Sequence, residues 1–145
     1  MTIFFDMDGT VADLYGVDDW LSHLISENPA PYEKAAPLQD LRQLARLLNR
    51  LQRQGVRIGV ITWLSKNGSP AYNDEVRRAK RRWLAQHLPS VDWDEIHMVK
   101  YGTPKQRFCR EDTDILFDDE QKNRDRWTGA AYEPSEILEI LRSLI

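Results

Sequence analysis

Asp6 and Asp8 stand one residue apart, directly after the apolar run Ile3-Phe4-Phe5 and directly before Gly9-Thr10. The run is short and rich in strand formers, so it predicts a buried strand with both carboxylates where it ends. In open α/β sheets, ligands bind beyond the carboxyl ends of the strands. Two acids there repel each other unless a cation lies between them. Mg²⁺, which takes one or two carboxylates together with phosphate oxygens, suits such a place.

Three more stretches could contribute. Asp114-Ile115-Leu116-Phe117 is a second apolar run ending in acids, Asp118 and Asp119, with Asn123 four residues beyond. Val56 to Ile61 is a β-rich run ending in the hydroxyl of Thr62. Two lysines are candidates for binding a phosphoryl group: Lys80, in a helical stretch as Lys80-Arg81-Arg82-Trp83, and Lys105, after the turn Gly102-Thr103-Pro104.

Asp6-Met7-Asp8-Gly9-Thr10, Thr62, a lysine and Asp118-Asp119 resemble, in that order, the four motifs of the haloacid dehalogenase (HAD) superfamily. The resemblance covers nearly the whole chain. Phe5 to Leu14 and the Lys80-Trp83 context look most like its 5′(3′)-deoxyribonucleotidase branch. Trp63-Leu64 after Thr62 departs from that branch, as does the shortness of the segment available for a cap. The resemblance implies a Mg²⁺-dependent phosphomonoester hydrolase acting through an aspartyl-phosphate. Asp6 would be the nucleophile and Asp8 the general acid and base. Asp6, Asp119 and the Asp8 main-chain carbonyl would hold Mg²⁺, with Asp118 as an outer partner. Thr62 and a lysine would bind the phosphoryl oxygens. The usual placement just ahead of the last motif would favour Lys105, but the Lys80-Trp83 match to the deoxyribonucleotidase context favours Lys80 as that lysine.

These residues need a frame. Helical spacing of Leu41, Leu44, Ala45, Leu48 and Leu51 predicts a helix from Leu38 to Gln54, with Gly55 as its stop. Val76, Ala79, Trp83 and Leu84 mark a second amphipathic helix. Trp20 to Ile25 reads as a short helix, followed by a break at Asn28-Pro29-Ala30-Pro31. Glu95 to Val99, Asp114 to Phe117 and Ala130 to Tyr132 read as strands, and Ser135 to Leu144 as a final helix. Alternating strands and helices predict an α/β fold, a Rossmann-like parallel sheet covered on both faces. A single HAD-like domain over residues 1–145 is expected, with residues 11–36 as a small cap offering Asp13, Tyr15, Asp18, Trp20 and Tyr32.

Composition bounds the alternatives. The chain has 145 residues, 41% hydrophobic and 30% charged, with a net charge of −3. That balance belongs to an ordinary globular protein and gives no argument for bulk affinity to nucleic acid or membranes. One cysteine, Cys109, excludes an internal disulfide and fits a cytoplasmic setting. His23, His87 and His97 lack metal-ligand spacing. The cluster Arg77, Arg78, Arg81 and Arg82 reads as a solvated helix face. The expected partner is a small phosphorylated substrate, a nucleotide being one candidate. The alternatives are a polynucleotide end-processing phosphatase and a non-enzymatic phosphoacceptor domain of the receiver kind. The adjacent second acid, Asp8, favours an enzyme over the latter.

Overall fold

Thr2–Phe5 (β1) lies at the centre of a five-stranded sheet because every one of its side chains is apolar or small enough to bury. In the computed structural model, which describes residues 1–145, β1 is followed by β2 (Ala12–Asp13), α1 (Trp20–Ile25), α2 (Ala30–Lys34), β3 (Ala36–Pro37), α3 (Leu41–Arg53) and β4 (Arg57–Trp63). Then come α4 (Pro70–His87), β5 (Glu95–Val99), β6 (Ile115–Phe117), α5 (Gln121–Arg126), β7 (Ala130–Tyr132) and α6 (Ile137–Ser143). The sheet order is β5-β4-β1-β6-β7, with all pairs parallel.

Strand alternation divides the core. Ile3, Phe5, Ile58, Val60, Ile115 and Phe117 pack with Leu44, Leu48 and Leu51 of α3, Trp83 and Leu84 of α4, and Ile137 and Leu141 of α6. Phe4, Ile61 and Leu116 turn to the opposite side, against Trp127 and Phe108. Burial on both faces explains why these strands read as continuous apolar runs. The chain leaves β1 for β4 on one side, while β6 pairs with β1 on the other. Such a reversal opens a crevice beyond the strand ends, here between β1 and β6.

Three helix boundaries differ from the sequence expectation. Helix α3 starts at Leu41, because Asp40 caps it by accepting from the Gln43 amide at 3.2 Å. The Asn28–Pro31 break is instead the entry to α2, whose first turn accommodates proline. The last helix also begins later, at Ile137, after a 3₁₀ turn over Pro134–Glu136.

Residues 11–36 form an excursion closed at its base by the antiparallel pairing of β2 with β3. It is fastened to α4. Trp83 Nε1 donates to the Ala35 carbonyl at 2.8 Å, and the Tyr72 hydroxyl to the Asn28 carbonyl at 3.0 Å. No helix is long and apolar enough to cross a membrane.

Candidate active site

Asp6 follows β1, and its amide donates to the Phe117 carbonyl at 2.9 Å, so the β1–β6 ladder extends to the residue that carries the carboxylate. The chain then turns sharply. The Met7 carbonyl accepts from the amides of Thr10, Val11 and Ala12 at 3.0–3.1 Å. Gly9 sits inside this turn with φ of +81°, a conformation that side chains disfavour. A Cβ at Gly9 would also lie 2.4 Å from Asp119 Oδ2. Glycine is therefore required twice, for the turn and for the approach of Asp119 from the other strand end.

Thr10, a residue given no role from sequence, joins the two acidic segments. Its buried hydroxyl lies 3.2 Å from both Asp6 Oδ2 and Asp119 Oδ1 and accepts from the Asp119 amide at 3.2 Å. The conspicuous signal for it was its place inside the Asp6–Thr10 motif; the partner 109 positions away was invisible there.

Both candidate lysines reach the site, from different directions. Lys105 lies in a 3₁₀ turn (Lys105–Phe108), and its buried ammonium donates to Asp6 Oδ1 at 2.9 Å and Asp118 Oδ2 at 2.7 Å. Burial alone would lower its pKa. The Asp6 and Asp118 carboxylates more than reverse that, so it stays charged. Lys80 projects from α4 and is also buried. Its ammonium donates to Asp8 Oδ2 at 2.9 Å, Thr62 Oγ1 at 2.6 Å and the Trp63 carbonyl at 2.8 Å. An ammonium has three donors, and Lys80 has a protein partner for each. Lys105 retains one donor and lines the cavity. Lys105 thus has a donor free toward the cavity, whereas every donor of Lys80 is engaged by the protein.

The acids differ in environment. Burial pushes the Asp8 carboxyl up, with Lys80 opposing. Asp118 is almost wholly buried, and its oxygens accept from Lys105, the Asn123 amide group at 3.1 Å and the Glu120 amide at 2.9 Å. Loss of water and the Asp6 charge push it up to about 6. Asp119 is the solvent-facing member. Crowding by protein atoms and the Asp6 charge push it up to about 8.

Asp6, Asp118 and Asp119 each offer a carboxylate oxygen within 4.8 Å of one another. Hard oxygen donors with an excess of negative charge fit a divalent cation such as Mg²⁺. The Asp8 carboxylate is not in this trio, because Lys80 holds it. Only its main-chain carbonyl is left for the ligand role expected of that residue. Asp118 is occupied by three donors, whereas Asp119 has only Thr10, so Asp119 is the more available ligand.

A cavity of about 550 Å³ opens over these groups. Tyr15, Trp20 and Tyr32 of the excursion line it, facing Trp63, Leu64 and Tyr101 from the sheet side. Tyr15 meets Trp20 edge-on at 4.9 Å between centroids, and Trp63 meets Tyr101 at 4.9 Å. Asp13 and Asp18 do not line it. Asp13 instead caps the Leu14–Gly16 turn, accepting from the Gly16 amide at 3.0 Å. Trp63, the departure from the deoxyribonucleotidase pattern, ties down the Lys105 segment: its Nε1 donates to the Thr103 carbonyl at 2.9 Å, and the Lys105 ammonium sits 5.3 Å above its ring.

No protein-family model matches the chain, and no curated protein matches it by sequence. Solved structures do. D,D-heptose 1,7-bisphosphate phosphatase from B. bronchiseptica, complexed with magnesium and phosphate, is 14% identical, with a TM-score of 0.60 over 99% of each chain. The D,D-heptose 1,7-bisphosphate phosphatase of Burkholderia thailandensis is also 14% identical, with a TM-score of 0.50 over 86% of this chain and 69% of that one. At that identity the likeness concerns architecture: the chain has the α/β fold of these phosphatases, the fold that its resemblance to the HAD superfamily implies.

Proposed function

We propose that the chain is a Mg²⁺-dependent phosphomonoester hydrolase working through an aspartyl-phosphate on Asp6, with residues 1–145 as one catalytic domain and residues 11–36 as its cap. The supporting observation is the meeting of Asp6, Asp8, Thr62, two buried lysines and the Asp118–Asp119 pair at one crevice of a parallel sheet. Held by Asp6, Asp119 and the Asp8 carbonyl, the metal would neutralise charge on the phosphoryl oxygens.

The remaining roles belong to side chains. Asp6 attacks phosphorus, oriented by Lys105 on one carboxylate oxygen and Thr10 on the other. Asp8, held by Lys80, gives a proton to the leaving oxygen and later takes one from the water that opens the aspartyl-phosphate. Thr62 and the free donor of Lys105 hold phosphoryl oxygens. Lys80 braces Asp8 and Thr62 rather than touching substrate.

The cavity bears on the leaving group. Its aromatic wall suits a flat ring better than a second phosphate, since Lys66 is the only lysine or arginine lining it besides Lys105. A nucleoside monophosphate, the substrate of a 5′(3′)-deoxyribonucleotidase, fits that wall better than the sugar bisphosphate named for the structural neighbours.

A phosphomonoester panel with and without Mg²⁺ tests the proposal. Hydrolysis that requires Mg²⁺ and is abolished in Asp6→Asn and Asp8→Asn is expected, with nucleoside monophosphates ahead of sugar bisphosphates. Equal hydrolysis by the parent and both variants would refute the chemistry. Preference for the bisphosphate would refute the substrate reading alone.

A further inference from the structure

Helix α3 carries Arg42, Arg46, Arg50 and Arg53 and no aspartate or glutamate. All four arginines are exposed, and no ion pair involves any of them. Their spacing of four, four and three residues puts them in one row along the helix, about 16 Å long. The opposite side of the helix, Leu44, Leu48 and Leu51, is fully buried in the core. The row therefore faces outward by construction.

Helix α4 packs against the same core and carries Arg78 and Arg81, both exposed and without an ion pair; Arg77 and Arg82 are partnered by Asp74 and Glu33. In a chain with a net charge of −3, α3 thus presents a basic row, bordered at its ends by its cap Asp40 and by Asp92, whose main chain Gln52 contacts. Net charge hides this row, which is why composition gave no argument for a polyanionic partner.

We propose that the α3 face docks the phosphate backbone of a nucleic-acid strand without reading its bases. A linear row of always-charged, fork-shaped guanidinium groups matches a linear row of phosphates. An acidic protein partner would need an apolar centre beside the charges. A membrane would need exposed apolar side chains to insert. α3 exposes neither, because its only fully exposed side chains are the four arginines. The surface is separate from the phosphatase site and does not depend on its chemistry.

The test is fluorescence anisotropy of the whole protein with a labelled 20-nucleotide strand that has no terminal phosphate, so that the cavity has no monoester to engage. Four backbone contacts predict a log–log salt slope of about −3, and so about 50-fold weaker binding at 200 mM than at 50 mM salt. Arg46→Gln with Arg50→Gln should weaken binding about tenfold at 50 mM and lower the slope by about 1.4. Arg107→Gln with Arg126→Gln removes the same charge from the opposite face of the sheet and should change binding less than twofold. The proposal is overturned by no binding at 50 mM salt, by equal losses in the two double variants, or by binding to phosphatidylserine vesicles in place of the strand.

Discussion

Mg²⁺ binding should release close to one proton at neutral pH. The perturbation is metal addition to the metal-free protein, and the magnitude follows from the acidic trio. With its carboxyl near 8, Asp119 is about 0.9 protonated at pH 7, and Asp118, near 6, about 0.1. A carboxyl must lose its proton to ligate a cation. Binding at pH 7 thus displaces about one proton, mostly from Asp119, and at pH 9 only about a tenth of one. Isothermal titration calorimetry in two buffers of different ionisation enthalpy reads this number directly. Asp119→Asn should abolish the release and most of the affinity. If the parent binds Mg²⁺ with no proton release at pH 7, Asp119 is already ionised, and the crowding of three carboxylates around one point is not its controlling environment.

Other consequences concern stability and rate. Both raised carboxyls keep protons in the folded chain that the unfolded chain has lost, so metal-free stability should fall as pH rises from about 4 to about 8. Thermal melts in chelator should show this, with Mg²⁺ restoring stability at pH 8; a metal-free melt that rises with pH would contradict it. Lys105→Met leaves Asp6 and Asp118 facing each other without their shared cation, at a cost of about 3–5 kcal/mol and about 10 °C in Tm, more than Lys105→Arg. Gly9→Ala drives a methyl into Asp119 and should lower kcat about a hundredfold; kcat within threefold of the parent would mean that Asp119 can move away freely. Lys80→Met frees the Asp8 carboxylate, so hydrolysis of alkyl phosphates should fall far more than that of p-nitrophenyl phosphate, whose leaving group needs no proton.

Much of the site was legible because local chemistry marks it. An apolar run short enough to be only a strand, followed by Asp6 and Asp8 or by Asp118 and Asp119, puts acids at strand ends wherever those strands lie in the sheet. Gly9 marks the turn between Asp8 and Thr10. The periodicity of Leu41 to Leu51 marks a helix with a single buried side, and the arginines between those leucines face outward for the same reason.

Which acid each lysine meets was decided by the tertiary structure alone. As letters, Lys80 in its Lys80-Trp83 context is favoured over Lys105, yet both are buried beside the site. Their partners differ because α4 delivers one ammonium to Asp8 and Thr62, while the turn before β6 delivers the other between Asp6 and Asp118. The link through Thr10 and the fit of Gly9 beneath Asp119 likewise join residues more than a hundred positions apart. Periodicity and turn chemistry act over a few residues and fix elements. The partners of a buried charge are set by which strand ends the sheet order makes neighbours, and only the packed core determines that order.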